Sequence, residues 1–121
     1  WVIASIATIM LIMSGMMKIM SINNPTSEMY INFVRWGLEG KLIYVASWEL
    51  LFVTLYIIPK TSLAGMILLT AHLGGAIATH IEHGELQASM LPVLLLGIVW
   101  IGNILRFPYL FCKCKCNDSI N

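Results

Sequence analysis

Residues 42–81 read LIYVASWELLFVTLYIIPKTSLAGMILLTAHLGGAIATHI, and this stretch decides the fold. It contains two apolar segments, 42–59 and 62–81, joined by the short turn that follows Pro59. The first segment carries one charged side chain, Glu49, and the second has histidines as its only ionisable groups. A helix needs about 20 apolar residues to cross a bilayer core. The stretch therefore predicts two antiparallel membrane helices that are neighbours.

Two further apolar segments flank this pair, at 1–20 and 90–105. The first is interrupted only by Lys18, and the second has no charged residue. Backbone groups in lipid must bond internally, and the alternation of barrel strands is absent, so all four segments are predicted to be helices. The sequence predicts an all-α fold: an antiparallel four-helix bundle integral to the membrane, over residues 1–111, followed by a tail at 112–121.

The composition excludes several classes of protein. Of the 121 residues, 59% are hydrophobic and 11% are charged. A soluble domain usually carries about a quarter charged residues, and a small one cannot bury this much apolar surface. Disorder is excluded by the same figures, and a net charge of +1 gives no basic surface for nucleic acid.

A more polar stretch at 23–40 connects the first two spans. Tyr30, Phe33 and Trp36 recur at about helical spacing, and Ser27 precedes them as a candidate helix cap. Spacing of this kind suits a helix that lies in the membrane interface. The sequence predicts a short interfacial helix here, with a packed loop and ordinary aromatic anchors as the alternative.

Basic loop residues predict the orientation, because they are enriched on the cytoplasmic side of a membrane. With four spans, the side of the termini holds four of them: Lys60, Arg106, Lys113 and Lys115. The opposite side holds Arg35 and Lys41, with Lys18 at a helix end. Both termini are therefore expected in the cytoplasm. Because the chain begins at Trp1, we expect further residues before it, and the long apolar run does not suit a signal peptide.

Four ionisable side chains fall within the predicted spans: Lys18, Glu49, His72 and His80. An ionisable group at mid-membrane costs about 2.5–3.5 kcal/mol on insertion scales, so each needs a reason. A rise of 1.5 Å per residue places Glu49 about 12 Å and His72 about 13 Å from the outer ends of their spans. The sequence predicts an outward-facing polar pocket in which Lys18 pairs with Glu49 beside His72. Such a set can carry protons or hold a quinone-like head group.

Each of these residues also has a structural interpretation. Lys18 can extend to the head groups, Glu49 can be a neutral acid bonded to a hydroxyl, and His72 can be a packing residue. His80 and His83 have H-x-x-H spacing, but two ligands are too few to fix a metal ion, and no metal site is predicted.

Three remaining patterns are assigned to packing or to the tail. Gly74-x-x-x-Ala78 predicts close helix contact inside the bundle, with contact between copies as the alternative. Five methionines in the first span predict a core or lipid-facing stripe: Met10, Met13, Met16, Met17 and Met20. The tail cysteines, Cys112, Cys114 and Cys116, lack the spacing of a zinc site and are expected to be inert, with lipidation or soft-metal binding as alternatives.

Several motifs together resemble the DoxX and DoxX-like family. Residues 14–18, SGMMK, resemble the first-helix signature S-G-x-x-K of that family. Residues 48–51, WELL, followed by PKT at 59–61, resemble its second-helix glutamate and proline turn. The third span, from LAG at 63–65 to GAIATH at 75–80, resembles its third helix.

This resemblance implies a small four-helix protein of the bacterial inner membrane. Members are linked to quinone-dependent sulfur oxidation, as a small subunit of thiosulfate:quinone oxidoreductase, and to complexes that manage thiol stress. The motif residues carried over are Gly15, Lys18, Glu49, Gly75 and His80; His72 lies outside the family pattern.

From this we expect an accessory subunit of a quinone-linked oxidoreductase rather than a self-sufficient enzyme. The candidate catalytic residues are Lys18, Glu49 and His72, and the candidate contacts to a quinone head group are Lys18, Glu49 and His80. The expected partners are the lipid bilayer and other membrane subunits or further copies of the chain, with no nucleic acid. A scaffold or assembly subunit is the first alternative, and a carrier of a small solute or metal is the second.

Overall fold

The computed structural model describes residues 1–111, and all regular structure in that range is helical, as predicted. The helices are α1 (Val2–Ile22), α2 (Glu28–Arg35), α3 (Leu42–Ile57), α4 (Ser62–Glu82), α5 (Leu86–Arg106) and α6 (Pro108–Phe111). The predicted tail, with its three cysteines, lies outside the described residues.

Three of these helices are long and apolar enough to cross a membrane: α1, α4 and α5, of 21 residues each. At 1.5 Å per residue each is about 31 Å long. The apolar helix α3 is shorter, with 16 residues. It ends at Ile57 because Ile58 precedes a proline, which disfavours the helical conformation, and Ile58 is extended with ψ of 121°.

The four longer helices form a closed ring of contacts. Helix α1 packs against α3 and α5, and α4 packs against the same two helices. Helix α2 makes its main contact with α1. Apolar side chains from all four ring helices fill the centre, among them Leu11, Val53, Met66, Leu69 and Val99.

Two glycines set how closely these helices approach. A Cβ on Gly15 of α1 would lie 3.0 Å from Leu50 of α3. A Cβ on Gly65 of α4 would lie 2.6 Å from the Cα of Tyr56 in α3, where only backbone is available to move. The tight turn after α3 therefore works only because α4 offers no side chain at Gly65.

Residues 28–35 form the helix predicted within the 23–40 stretch. Its cap is Ser27, whose hydroxyl accepts a hydrogen bond from the Tyr30 N–H at 3.3 Å. Glu28 in the first turn and Arg35 in the last turn complement the helix dipole. The cap and the charges explain why so short a segment is helical.

The small-residue pattern on α4 does not pack inside the ring, and that prediction was wrong. Gly74 and Ala78 are both exposed, and nothing lies within 4 Å of a Cβ built on Gly74. Helix α4 turns Leu69, Leu73 and Ala76 towards its neighbours instead. The five methionines of α1 are also exposed, on the outward face of the ring.

Candidate functional site

A cavity of about 550 Å³ lies inside the ring, at the end that holds α2 and the turn between α4 and α5. We call this the open end. Each of the helices α1 to α5 contributes to its lining. The walls are mostly apolar, with Leu73, Ala76, Leu91 and Leu95 among them. The cavity is therefore an apolar space whose polar groups lie at its floor and its mouth.

Lys18 and Glu49 meet at the floor of the cavity. The Lys18 Nζ lies 2.5 Å from Glu49 Oε2 and donates a second hydrogen bond, of 2.7 Å, to the Ser14 hydroxyl. The Glu49 side chain is 2% exposed and that of Lys18 is 15% exposed. The ammonium therefore turns inward to the carboxylate, because pairing offsets the cost of burying either charge.

His72 lies beside this ion pair without bonding to it. Its Nε2 is 3.9 Å from Glu49 Oε2, which is too long for a hydrogen bond. The ring packs edge-on against Phe52, with centroids 6.0 Å apart. Within residues 1–111 neither ring nitrogen of His72 is hydrogen-bonded, and the residue lines the cavity.

The floor thus combines a neutralised charge pair with unused hydrogen-bonding capacity. Lys18 has a third N–H, and Glu49 has a second oxygen, Oε1, with no partner in the described range. A molecule with carbonyl oxygens can accept from Lys18 or His72, and one with hydroxyl groups can donate to Glu49. The three residues predicted to share a pocket are therefore in direct reach of one another.

His80 lies at the mouth of the same cavity, away from this floor. It follows His72 by eight positions on α4, which is about 12 Å along the helix. Its Nδ1 is 3.2 Å from Glu85 Oε2, and the other oxygen of Glu85 is 3.7 Å from Arg35. His80 therefore lines the cavity but does not join the cluster of Lys18, Glu49 and His72.

Helix α2 covers the cavity, which sequence reasoning missed. Asn32, Phe33 and Trp36 all line it, and Phe33 is buried. The indole of Trp36 packs on His80 with centroids 5.0 Å apart and on Phe33 at 5.4 Å. The sequence pattern that could have indicated this cover was the aromatic spacing, which predicted a helix in the membrane interface. That spacing does not show what the rings contact.

Pro92 is a second residue of the cavity wall that was not predicted from the sequence. It lies inside α5 and lines the cavity together with Ala88. Proline has no N–H, so it cannot bond to the Ala88 carbonyl one turn earlier in the helix. The helix begins at Leu86, ahead of the predicted start at residue 90.

A family model for the DoxX-like family matches residues 2–102. The chain belongs to the DoxX-like family. No curated protein and no solved structure matches the chain. The family and the three long apolar helices make it a membrane protein in contact with the lipid bilayer.

The motif residues on which the resemblance rests come together in this DoxX-like chain. Lys18, Glu49, Gly75 and His80 all line the cavity. The fifth, Gly15, permits the close approach of α1 to Leu50, the residue after Glu49. Motifs that are far apart in the sequence therefore meet around one space in the fold.

The opposite end of this DoxX-like fold is closed by hydrogen bonds. The Tyr56 hydroxyl donates to the Val99 carbonyl at 3.0 Å, and Ser62 donates to the Asn103 side chain at 2.6 Å. Arg106 donates to the last carbonyls of α3, at Tyr56 and Ile57. We call this the closed end, since its polar side chains bind one another and the backbone.

Metal-binding residues do not cluster in the part of the chain that the structure describes. No group of three His, Cys, Asp or Glu side chains in residues 1–111 could hold an ion. The Nδ1 of His83 lies 2.8 Å from the Thr79 carbonyl. His80 and His83 are thus engaged separately.

Proposed function

We propose that this DoxX-like protein binds the head group of a quinone in its cavity and acts as an accessory subunit of a quinone-linked membrane oxidoreductase. The observation that carries the proposal is the Lys18–Glu49 pair with His72 at the floor of an otherwise apolar cavity. Quinones have flat apolar rings with carbonyl oxygens, and such a cavity suits both parts of them.

The proposal includes a four-span arrangement in a bacterial inner membrane. The ring of α1, α3, α4 and α5 supports it, as do the apolar side chains exposed on its outside. At about 24 Å, α3 would need local thinning of the bilayer or extension of flanking side chains such as Lys41. Helix α2 would then lie at the outer interface, and the basic loop residues favour both termini in the cytoplasm.

The chain's own residues would orient the ring and handle its protons. Lys18 and His72 donate hydrogen bonds to a carbonyl oxygen, and Glu49 accepts one from a hydroxyl. Lys18 is held for this by Ser14 and Glu49. The cavity walls are mostly apolar, so these bonds are stronger than at a polar surface. The electrons would come from a partner subunit that carries a redox centre, such as one that oxidises thiosulfate or a thiol.

The test of this proposal is Glu49→Gln, a substitution that keeps shape and removes the charge. Because a glutamine carbonyl can still accept the hydrogen bond from Lys18, we expect normal membrane levels, with at least tenfold weaker binding of tetramethyl-para-benzoquinone and lost quinone-linked electron flow in membranes. The matched control is Glu39→Gln, on an exposed loop residue. Unchanged binding and unchanged flow in Glu49→Gln would reject the proposal.

One contact favours a second candidate, a scaffold or assembly subunit. The Lys18–Glu49 pair joins α1 to α3, as a purely structural lock would. A scaffold predicts that Glu49→Gln lowers the amount of protein in the membrane and of its assembled complex, with quinone binding absent from the wild type as well.

A further inference from the structure

The cavity reaches a level of the helix ring at which α3 and α4 do not close against each other. Gly75 of α4 lines the cavity and is exposed, and a Cβ added to it would have no atom of the described residues within 4 Å. Val45 of α3 lines the same space and is half-buried. The wall between α3 and α4 is therefore open at this level.

The position of Gly75 around α4 places this opening on the outside of the ring. His72 marks the side of α4 that faces α3, because its ring packs on Phe52. Leu73 is buried on the side of the ring centre. At about 100° per residue, Gly75 lies about 60° around the helix from His72, on the side away from Leu73. A cavity lined by both Leu73 and Gly75 thus passes between α3 and α4.

Below this level the two helices are in close contact. The rings of His72 and Phe52 have centroids 6.0 Å apart. Nearer the closed end, a Cβ on Gly65 would lie 2.6 Å from the Cα of Tyr56. Gly75 follows His72 by three residues, which is about 4.5 Å along the helix. The opening therefore lies just above the floor of the cavity and does not continue below it.

The surface around the opening is suited to lipid rather than to water. Gly75 is seven residues before the end of α4 at Glu82, about 10 Å along one of the three long apolar helices. The exposed residues on the outer side of the opening carry no charge: Trp48, Ile67, Ala71, Gly74 and Ala78. A surface of this composition at this depth contacts the hydrocarbon of a bilayer.

We infer that the cavity opens sideways into the bilayer between α3 and α4 at Gly75, and that the quinone it binds has a hydrocarbon tail that leaves through this opening. The head group is held at the floor by Lys18 and Glu49 while the tail stays in lipid. This rests on the proposed function and narrows its ligand to a lipid-soluble quinone. Glycine leaves room for the tail, because any side chain at this position would narrow the opening.

The experiment compares two quinones with the same ring on the full chain in lipid nanodiscs. Tetramethyl-para-benzoquinone has no tail, and the matched ligand has a decyl chain in place of one methyl group. Gly75→Leu places a branched side chain in the opening. We expect it to weaken binding of the decyl quinone about tenfold and to leave binding of the tetramethyl quinone within about twofold. Each ligand is compared between variants, so its partition into lipid cancels.

The matched control is Gly74→Leu, the same substitution one residue earlier in the same helix. Gly74 is exposed and lies outside the cavity lining, and a Cβ there also meets no atom of the described residues within 4 Å. Both substitutions replace a helical glycine with a better helix former, so they change helix propensity alike. We expect the control to alter the affinity for neither quinone.

A second measurement uses the wild-type protein. A decyl quinone with a diazirine at the end of its chain is photolysed in the nanodisc, and the labelled peptides are identified by mass spectrometry. We expect labelling of the outer faces of α3 and α4, near Trp48 and Ala71, that excess tetramethyl-para-benzoquinone prevents. Labelling of α2 or of the turn between α4 and α5 would place the tail at the mouth and overturn the inference.

The outcomes separate this inference from the proposed function. Binding of the decyl quinone that is equal in wild type and Gly75→Leu overturns the opening and leaves the proposed function standing. Equal losses for both quinones show that the new side chain only fills the cavity, and also overturn the inference. If Gly75→Leu does not fold, the position of the photolabel decides alone. A wild-type protein that binds neither quinone overturns both proposals.

Discussion

The two ends of the helix ring use polar side chains in opposite ways. At the closed end, Tyr56, Ser62, Asn103 and Arg106 bond to one another's helices across the ring. At the open end, groups on Glu49, His72 and Trp36 stay unbonded in the described range around a cavity. Each end has one fully buried atom without a partner in the described range, Arg106 Nε at the closed end and Trp36 Nε1 at the open end, but the groups left unbonded around the cavity at the open end also include Glu49 Oε1 and the His72 ring.

The hydrogen bonds at the closed end stabilise the fold, whereas the unbonded groups at the open end remain available to a ligand. A buried polar group costs free energy unless it is hydrogen-bonded. The closed end avoids most of that cost within the chain and holds α3, α4 and α5 together. The open end leaves hydrogen-bonding capacity unused, as expected where a ligand completes the set. Substitutions at the two ends should therefore have different consequences.

The largest expected effect is at the close approach of α3 and α4. Gly65→Leu places a side chain against the Tyr56 backbone, which cannot move without breaking the turn. We expect no folded protein, measured as loss of the monodisperse peak in detergent. The control is Gly74→Leu on the outward face of the same helix, where a Cβ meets nothing within 4 Å. Normal yield of Gly65→Leu would show that the closed end is not rigid.

The next largest effect is expected when one member of the ion pair at the open end is removed. Lys18→Met leaves the Glu49 carboxylate buried without its cation, and removing one partner of a buried pair costs about 3–5 kcal/mol. We expect a large fall in the thermal midpoint of unfolding, measured by circular dichroism. Lys41→Met, at an exposed residue before α3, is the control. A thermal midpoint equal to that of the control would mean that Lys18 contributes nothing to the buried site.

A smaller effect is expected inside the closed end. Asn103→Leu leaves the Ser62 hydroxyl without its acceptor and removes the contact to the Met66 sulfur. An unsatisfied buried hydroxyl costs about 1–3 kcal/mol. The thermal midpoint should fall while binding of tetramethyl-para-benzoquinone stays unchanged. Lost binding with an unchanged midpoint would contradict the division between the two ends.

The floor of the open end could be predicted from sequence because it depends on depth along helices. Glu49 and His72 lie at similar depths on helices joined by a tight turn, and Lys18, only a few residues from the outer end of the first span, has a side chain long enough to reach inward to Glu49. Those counts are enough to bring three side chains together without knowing how each helix is rotated.

The rotation of each helix about its axis, and the segment that covers the cavity, could not be predicted in this way. Gly74 and Ala78 have the spacing of a helix contact, but spacing does not say which face of α4 turns inward. Tyr30, Phe33 and Trp36 likewise keep the same spacing in the sequence whether their rings contact lipid or cover a cavity. The position of Trp36 over the cavity depends on contacts with α4 that are remote in sequence.

We infer that the ion pair at the open end serves a ligand rather than the fold. The most direct test is the double variant Lys18→Met/Glu49→Leu, because replacing both members of a buried pair with apolar residues of similar size is often neutral for stability. The measurement is the thermal midpoint with and without tetramethyl-para-benzoquinone. Without ligand, we expect the double variant to have a midpoint near that of the wild type. With ligand, we expect it to lack the stabilisation that the wild type gains. A double variant that is strongly destabilised, or that is stabilised by the quinone as much as the wild type, would contradict it.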